Sequence, residues 1–206
     1  MYRTFGAALT ALALMLSAAL AQSPPAPKQE LETATFAGGC FWCVEADFDK
    51  VDGVVSTISG FMGGKTPKPN YQTVTAGGTG HLEVVQISFD PKKVTYQKLL
   101  DTFWMSIDPY DANGQFCDKG DSYRTAVFAH TPEQKALAAA SREKIVKDGP
   151  LKKAVATEVR DSGPFTAAED YHQDFYKTNP IRYKTYRYGC GRDARLEQIW
   201  GKKATQ

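Results

Sequence analysis

The residues best equipped for chemistry are four cysteines, and two of them stand together in Gly38-Gly39-Cys40-Phe41-Trp42-Cys43-Val44-Glu45. Such a pair supports three readings: a dithiol switch, half of a metal site, or one reactive thiol beside a bystander. The flanking sequence places Cys40. Thr33 to Ala37 reads as a strand stopped by the glycines, while Phe41 to Lys50 carries Phe41, Val44, Glu45 and Phe48 at helical spacing. Cys40 therefore falls at a strand-to-helix turn, where the positive helix end and unpaired N–H groups favour thiolate, the nucleophilic form. The glycines allow a sharp turn and close approach by a second molecule. Phe41 and Trp42 supply apolar surface beside the sulfur. On this stretch alone the plainer reading, a small buried cysteine with core aromatics, stays open.

The remaining cysteines, Cys117 and Cys190, each stand alone. A zinc module needs a second closely spaced ligand pair, so no metal is expected. A thioredoxin-like disulfide oxidoreductase also uses Cys-x-x-Cys at a strand-to-helix turn and is the alternative class. It would require a cis-proline loop facing the motif later in the chain.

These residues need a scaffold, and its elements are legible in outline. Strands are expected at Val54–Met62, Leu82–Phe89, Tyr123–Ala129 and Ala154–Val159. Helices are expected at Thr95–Ser106, at Thr131–Lys147 (opened by Thr131, Pro132 and Glu133) and at Ala167–Thr178. Asp108 to Asp121 reads as a long loop, and Asn179 to Tyr188 as an aromatic, basic tail without clear period. Irregular alternation of strands and helices predicts one α+β domain: a mixed sheet with flanking helices on a ferredoxin-like split βαβ core, and a long irregular C-terminal tail.

With 206 residues, 42% of them hydrophobic, the chain suits one such core. A formal charge of +2 with acids and bases interspersed suggests neither a nucleic-acid nor a membrane-surface role. The N-terminus reads differently. Arg3 precedes an apolar run from Phe5 to Leu20, short for a membrane span, and Ala19-Leu20-Ala21 offers a signal-peptidase pattern. Residues 1–21 are expected to be a signal peptide, 22–31 a disordered proline-rich linker and 32–206 the folded domain. The protein is expected to be exported, most naturally to a periplasm, with no stable membrane association after cleavage. Disulfides persist there, and four cysteines allow three full pairings.

The GGCFWCVEADFDKVDGVVSTISGFMGG block, followed by PNY, GGTGHLEVVQISFDP, FCDKGDSYRTAVF and AEDYHQDFY, resembles peptide methionine sulfoxide reductases of the A type. The likeness runs in order from about Phe36 to Tyr176. It implies that Cys40 attacks the sulfoxide sulfur, and that Phe41 and Trp42 hold the substrate's S-methyl group. Glu83 is implied as the acid that protonates the sulfoxide oxygen. Tyr71 and Tyr123 are implied to hydrogen-bond that oxygen, with Asp118 beside them. Such chemistry suits the residue types, because sulfoxide oxygen leaves only if it gains a proton. A carboxyl still protonated near neutral pH needs an apolar site. His81 is implied to be structural, and His172 architectural or site-lining.

The resemblance further implies reduction of methionine-S-sulfoxide, free or within oxidised proteins, through a sulfenic acid at Cys40. A second thiol then forms a disulfide, reduced by an external thioredoxin-like dithiol, with no bound cofactor. Here the sequence departs from the commoner pattern, which has glycine at the position of Cys43 and no cysteine at that of Cys117. Cys190, flanked by Gly189 and Gly191, is the first candidate resolving cysteine, Cys43 the second and Cys117 the third. A monomer is expected.

Overall fold

The computed structural model describes residues 1–2 and 30–201. The expected signal segment, and the linker as far as residue 29, lie outside the described residues. In chain order the elements are β1 (Glu32–Gly38), α1 (Phe41–Phe48), β2 (Val54–Met62), α2 (Tyr71–Thr75), β3 (Leu82–Phe89) and α3 (Tyr96–Met105). There follow β4 (Gly114–Gln115), β5 (Asp118–Lys119), β6 (Thr125–Ala129), α4 (Pro132–Asp148), β7 (Glu158–Asp161) and β8 (Thr166–Ala167). The chain ends with α5 (Phe175–Thr178), α6 (Pro180–Gly189) and α7 (Arg192–Trp200).

The main sheet runs β7-β6-β1-β3-β2-β8. Its four central strands are antiparallel neighbours in the order β6-β1-β3-β2, with α1 and α3 as crossovers. This is the split βαβ arrangement, and β7 joins the edge in parallel to β6. Period-two alternation along β3 sends Val85 and Ile87 into the helix-side core with Phe36, Phe48, Leu99, Leu100 and Phe103. Leu82 and Val84 face the other way, into a smaller cluster with Met62, Ala126 and Phe128. Glu83 shares the face of Val85 and Ile87, opposite Phe61. A carboxyl is thus delivered by strand periodicity into the apolar layer beneath α1.

Four expectations are corrected. The long loop contains the β4–β5 hairpin, and Gln115 ties it down by accepting from Asp108 N–H and donating to Asp108 carbonyl, both at 2.8 Å. The strand expected at Ala154–Val159 forms later, at Glu158–Asp161, because Arg142 takes the carbonyls of Val155 and Thr157.

The helix expected over Ala167–Thr178 is instead a short strand, a single 3-10 turn (Asp170–His172) and one turn of α5. Side chains pull this segment across the sheet edge. Gln173 pairs with both backbone groups of Ser59, and Glu169 accepts from Tyr71 N–H.

Finally, the C-terminal segment is not irregular. It folds as α6 and α7, the latter burying Arg192, Leu196 and Ile199 at helical spacing. In α6 only Tyr183 is buried, so the apolar signal is faint. Arg187 anchors that helix to Asp47 and Asp193.

Candidate active site

The glycine pair sets the site's geometry. A Cβ on Gly38 would come within 2.8 Å of Val44, and one on Gly39 within 2.5 Å of Gln115. Gly39 also sits at φ +81°, a region that penalises other residues. The chain turns there and starts α1 with Cys40 at the N-cap. Cys40 carbonyl accepts from the N–H groups of Cys43 and Val44, closing the first turn. Phe41 N–H points down to the sheet and donates to Glu83 Oε2 at 3.0 Å. The nucleophile candidate and the acid candidate are therefore locked together through one backbone amide.

Glu83 is 1% exposed, and burial pushes its carboxyl up to about 8. Near neutral pH it carries a proton, as the chemistry requires. Burial also pushes the Cys40 thiol well up, with the neighbouring Cys43 and Glu83 adding to the effect. The helix-end field expected to favour thiolate at Cys40 is outweighed, because desolvation of a buried sulfur is the larger effect. Cys43 behaves oppositely. It is lowered, first by the hydrogen bond from Cys40 and then, against its own burial, by the charges of Arg192 and Arg187.

The remaining residues implied by the resemblance meet at the same place. Tyr71 and Tyr123 share a hydrogen bond between their phenols, and the charges of Glu83 and Cys40 act on both. Phe41 lies within ring contact of Phe61, Tyr71 and His172. Trp42 stacks on Phe175 with ring centroids 3.7 Å apart, and its N–H donates to His172 Nδ1 at 3.0 Å. Burial lowers His172, so it is a neutral acceptor that fixes the indole. His81 accepts from Gly64 N–H and donates to Thr66 carbonyl; both ring nitrogens hold the Gly64–Thr66 loop.

Asp118, half-buried and raised by that burial, accepts from Tyr186 hydroxyl. Tyr186 in turn hydrogen-bonds Cys40 and meets Trp42 edge-on. Sequence reasoning missed Tyr186, as well as Phe175 and Arg192. Tyr183, Tyr186 and Arg187 at spacings of three and four were the available signal that this tail has a helical face.

The cysteines fall into two tiers. Cys40 and Cys43 are free and buried, at 6% and 1% exposure. Cys117, exposed, and Cys190, half-buried at the C-cap of α6, form a disulfide. Cys190 Sγ lies 3.8 Å from Asp118 Oδ2, so the outer pair borders the inner site. Among the described residues Cys117, Asp118 and Cys190 are also the one cluster with ligand-type atoms within 4.8 Å of each other. Their sulfurs are engaged with each other.

A buried thiol at a helix start, joined through the Phe41 amide to a protonated carboxyl and set beside two phenols and an apolar wall, suits a cysteine enzyme whose substrate must gain a proton as the sulfur attacks. Comparison with known proteins agrees. The profile of the family Peptide methionine sulfoxide reductase matches residues 32–204. A Bacillus licheniformis protein named Peptide methionine sulfoxide reductase MsrA is 49% identical over 175 residues, which span 85% of this chain and 97% of that one. The reduced form of Mxr1 from Saccharomyces cerevisiae superposes with TM-score 0.68 at 32% identity, over 73% of this chain and 86% of that one. A structure of Mxr1 in complex with Trx2 shares the fold, with TM-score 0.51 and 22% identity over 72% of this chain and 86% of that one. The chain belongs to the peptide methionine sulfoxide reductase family and is an oxidoreductase. The thioredoxin-like reading of Cys40 and Cys43 gives way to this one.

Proposed function

We propose that the protein reduces methionine-S-sulfoxide, in oxidised proteins and as the free amino acid, and repairs exported proteins in a periplasm. The observation that carries the reading is the pairing of buried Cys40 with Glu83, whose carboxyl retains its proton to about pH 8. Cys40 sulfur attacks the sulfoxide sulfur while Glu83 gives its proton to the oxygen. Tyr71 and Tyr123 donate to that oxygen as charge develops. Phe41 and Trp42 hold the methyl group. Methionine leaves and Cys40 keeps the oxygen as a sulfenic acid.

Cys43 is the free thiol beside that sulfenic acid, at the N-cap and third-residue positions where a disulfide forms without loop motion. Their condensation releases water. Cys117 is exposed while Cys40 and Cys43 are buried, so a protein reductant meets the outer pair first. The outer pair takes that part: Cys117 and Cys190, as dithiol, exchange with the inner disulfide, and an external thioredoxin-like dithiol reduces the outer disulfide that results. The disulfide found between Cys117 and Cys190, with Cys40 and Cys43 free, corresponds to the end of that exchange.

The test is turnover of the two separated sulfoxide epimers of an N-protected methionine with a small dithiol. Turnover of the S epimer, abolished in Cys40→Ser, supports the reading. Turnover of the R epimer alone, or of neither, overturns it.

A further inference from the structure

The outer disulfide joins two sulfurs in unlike settings. Cys117 stands in the two-residue turn between β4 and β5, whose register pairs Gln115 with Asp118. Phe116, the first residue of that turn, takes φ +55°, and a positive φ at this position is what two-residue hairpins use. Cys117 is thus carried at the hairpin tip, and it is exposed. The hairpin beneath it is anchored. Gln115 is fully buried and bonded to both backbone groups of Asp108, and the guanidinium carbon of buried Arg192 lies 4.6 Å from the Phe116 ring centroid.

Cys190 is held the other way. It is half-buried at the C-cap of α6, and its sulfur accepts the N–H of Cys117 at 3.2 Å and lies 3.8 Å from Asp118 Oδ2. Among the described residues no hydrogen bond reaches the sulfur of Cys117. A Cβ on Gly189 or Gly191 would meet nothing within 4 Å, so the chain beside Cys190 has room to move. A cleft of about 260 Å³ also touches Cys190. Its two carboxylates, Asp108 and Asp111, are paired with Arg195 and Lys119, so it offers no free positive charge to draw in a thiolate. In thiol–disulfide exchange, access selects the sulfur that is attacked, and stabilisation of the departing thiolate selects the sulfur that leaves. Both criteria assign the same direction.

Resting on the outer-pair exchange above, we propose that electrons enter at Cys117: the external dithiol attacks its sulfur, and Cys190 is the leaving group. One thiol of the reductant loses its proton and forms an S–S bond with Cys117. The Cys117–Cys190 bond breaks, and its electron pair stays on Cys190 as a thiolate that accepts the Cys117 N–H. After gaining a proton, the Cys190 thiol donates to Asp118 Oδ2. The second thiol of the reductant then loses its proton and attacks the reductant's first sulfur, which releases Cys117 to be protonated. The outer pair gains two electrons and two protons, and the reductant departs as a disulfide. Asp118 also accepts from Tyr186 hydroxyl, so as a positioning residue it keeps reduced Cys190 at the edge of the inner site while Cys117 faces the partner. The partner this suits is a dithiol protein whose reactive sulfur lies in a shallow surface able to receive a hairpin tip.

The test uses the full wild-type chain with its outer disulfide formed and a thioredoxin whose second active-site cysteine is replaced by serine. Such a reductant stops at the mixed disulfide. The mixture is quenched with acid at short times, free thiols are alkylated, and peptides are mapped by mass. The adduct is expected on the Cys117 peptide with Cys190 alkylated, in at least about tenfold excess over the opposite product. Glutathione as a small probe is expected to show the same preference. A first adduct on Cys190, or equal amounts on both, overturns the proposal and leaves the outer-pair exchange standing. An adduct on Cys40 or Cys43, with the outer disulfide intact, overturns the exchange itself.

Discussion

Replacing Glu83 by glutamine is expected to destroy activity while making the protein more stable, and the stability gain has a pH signature. In the unfolded chain a glutamate ionises near 4.5, whereas in the fold Glu83 ionises near 8. The folded state therefore holds the proton more tightly, and wild-type stability declines as pH rises from about 4.5 to about 8. Each pH unit in that window costs about 1.4 kcal/mol. At pH 7 the accumulated cost is about 3 kcal/mol. The Glu83→Gln side chain keeps an acceptor for Phe41 N–H but has nothing to ionise. Urea denaturation of both proteins at pH 4.5 and pH 7 should show near-equal stability at the lower pH. At the higher pH the variant should lead by about 3 kcal/mol, less whatever its amide loses in fit. Equal stability gaps at the two pH values would refute the claim that Glu83 is buried with its proton. Turnover of the wild type should fall as pH passes about 8, and that of the variant should be lower by about a hundredfold or more.

The same geometry makes three further predictions. Trp42→Ala removes the stack on Phe175 and the bond to His172; KM for sulfoxide should rise about tenfold, measured under steady-state conditions. Tyr186→Phe deletes the hydroxyl that joins Asp118 to Cys40; kcat should drop about tenfold with little change in KM. Cys117→Ser breaks the outer disulfide. With a thioredoxin-like donor it should slow steady-state turnover more than formation of the first equivalent of methionine, and equal slowing would remove the outer pair from the electron path.

Much of this site was legible in the sequence because its signals are local. Gly38-Gly39 before an apolar helical spacing placed Cys40 at a turn. The apolar run Leu82–Phe89 put Glu83 in a strand whose alternation buries it with Val85 and Ile87. What stayed hidden depends on contacts between distant segments. Cys117 and Cys190 are 73 residues apart, and connectivity is not written in spacing. The 167–178 segment carries helix-forming residues, yet Gln173 and Glu169 bind strand and loop backbone and prevent a continuous helix. In α6 a nearly all-polar surface around Tyr183 conceals the period. Its place is fixed by Arg187 and by Tyr186 reaching Asp118. The opposite displacements of Cys40 and Cys43 also escape the sequence, since they follow from burial, from the pairing of the two thiols and then from the charges of Arg192 and Arg187.

The central claim is that Cys40 takes the oxygen from sulfoxide. It is tested most directly by treating the Cys43→Ser/Cys117→Ser/Cys190→Ser variant, which can make no internal disulfide, with methionine-S-sulfoxide. Methionine release and peptide mass are then followed with a sulfenic-acid trap present. The account predicts about one equivalent of methionine per chain, formed slowly, and a trapped sulfenic acid on the peptide containing Cys40. Methionine formed without modification of that peptide, or the trap found on any other residue, would contradict it.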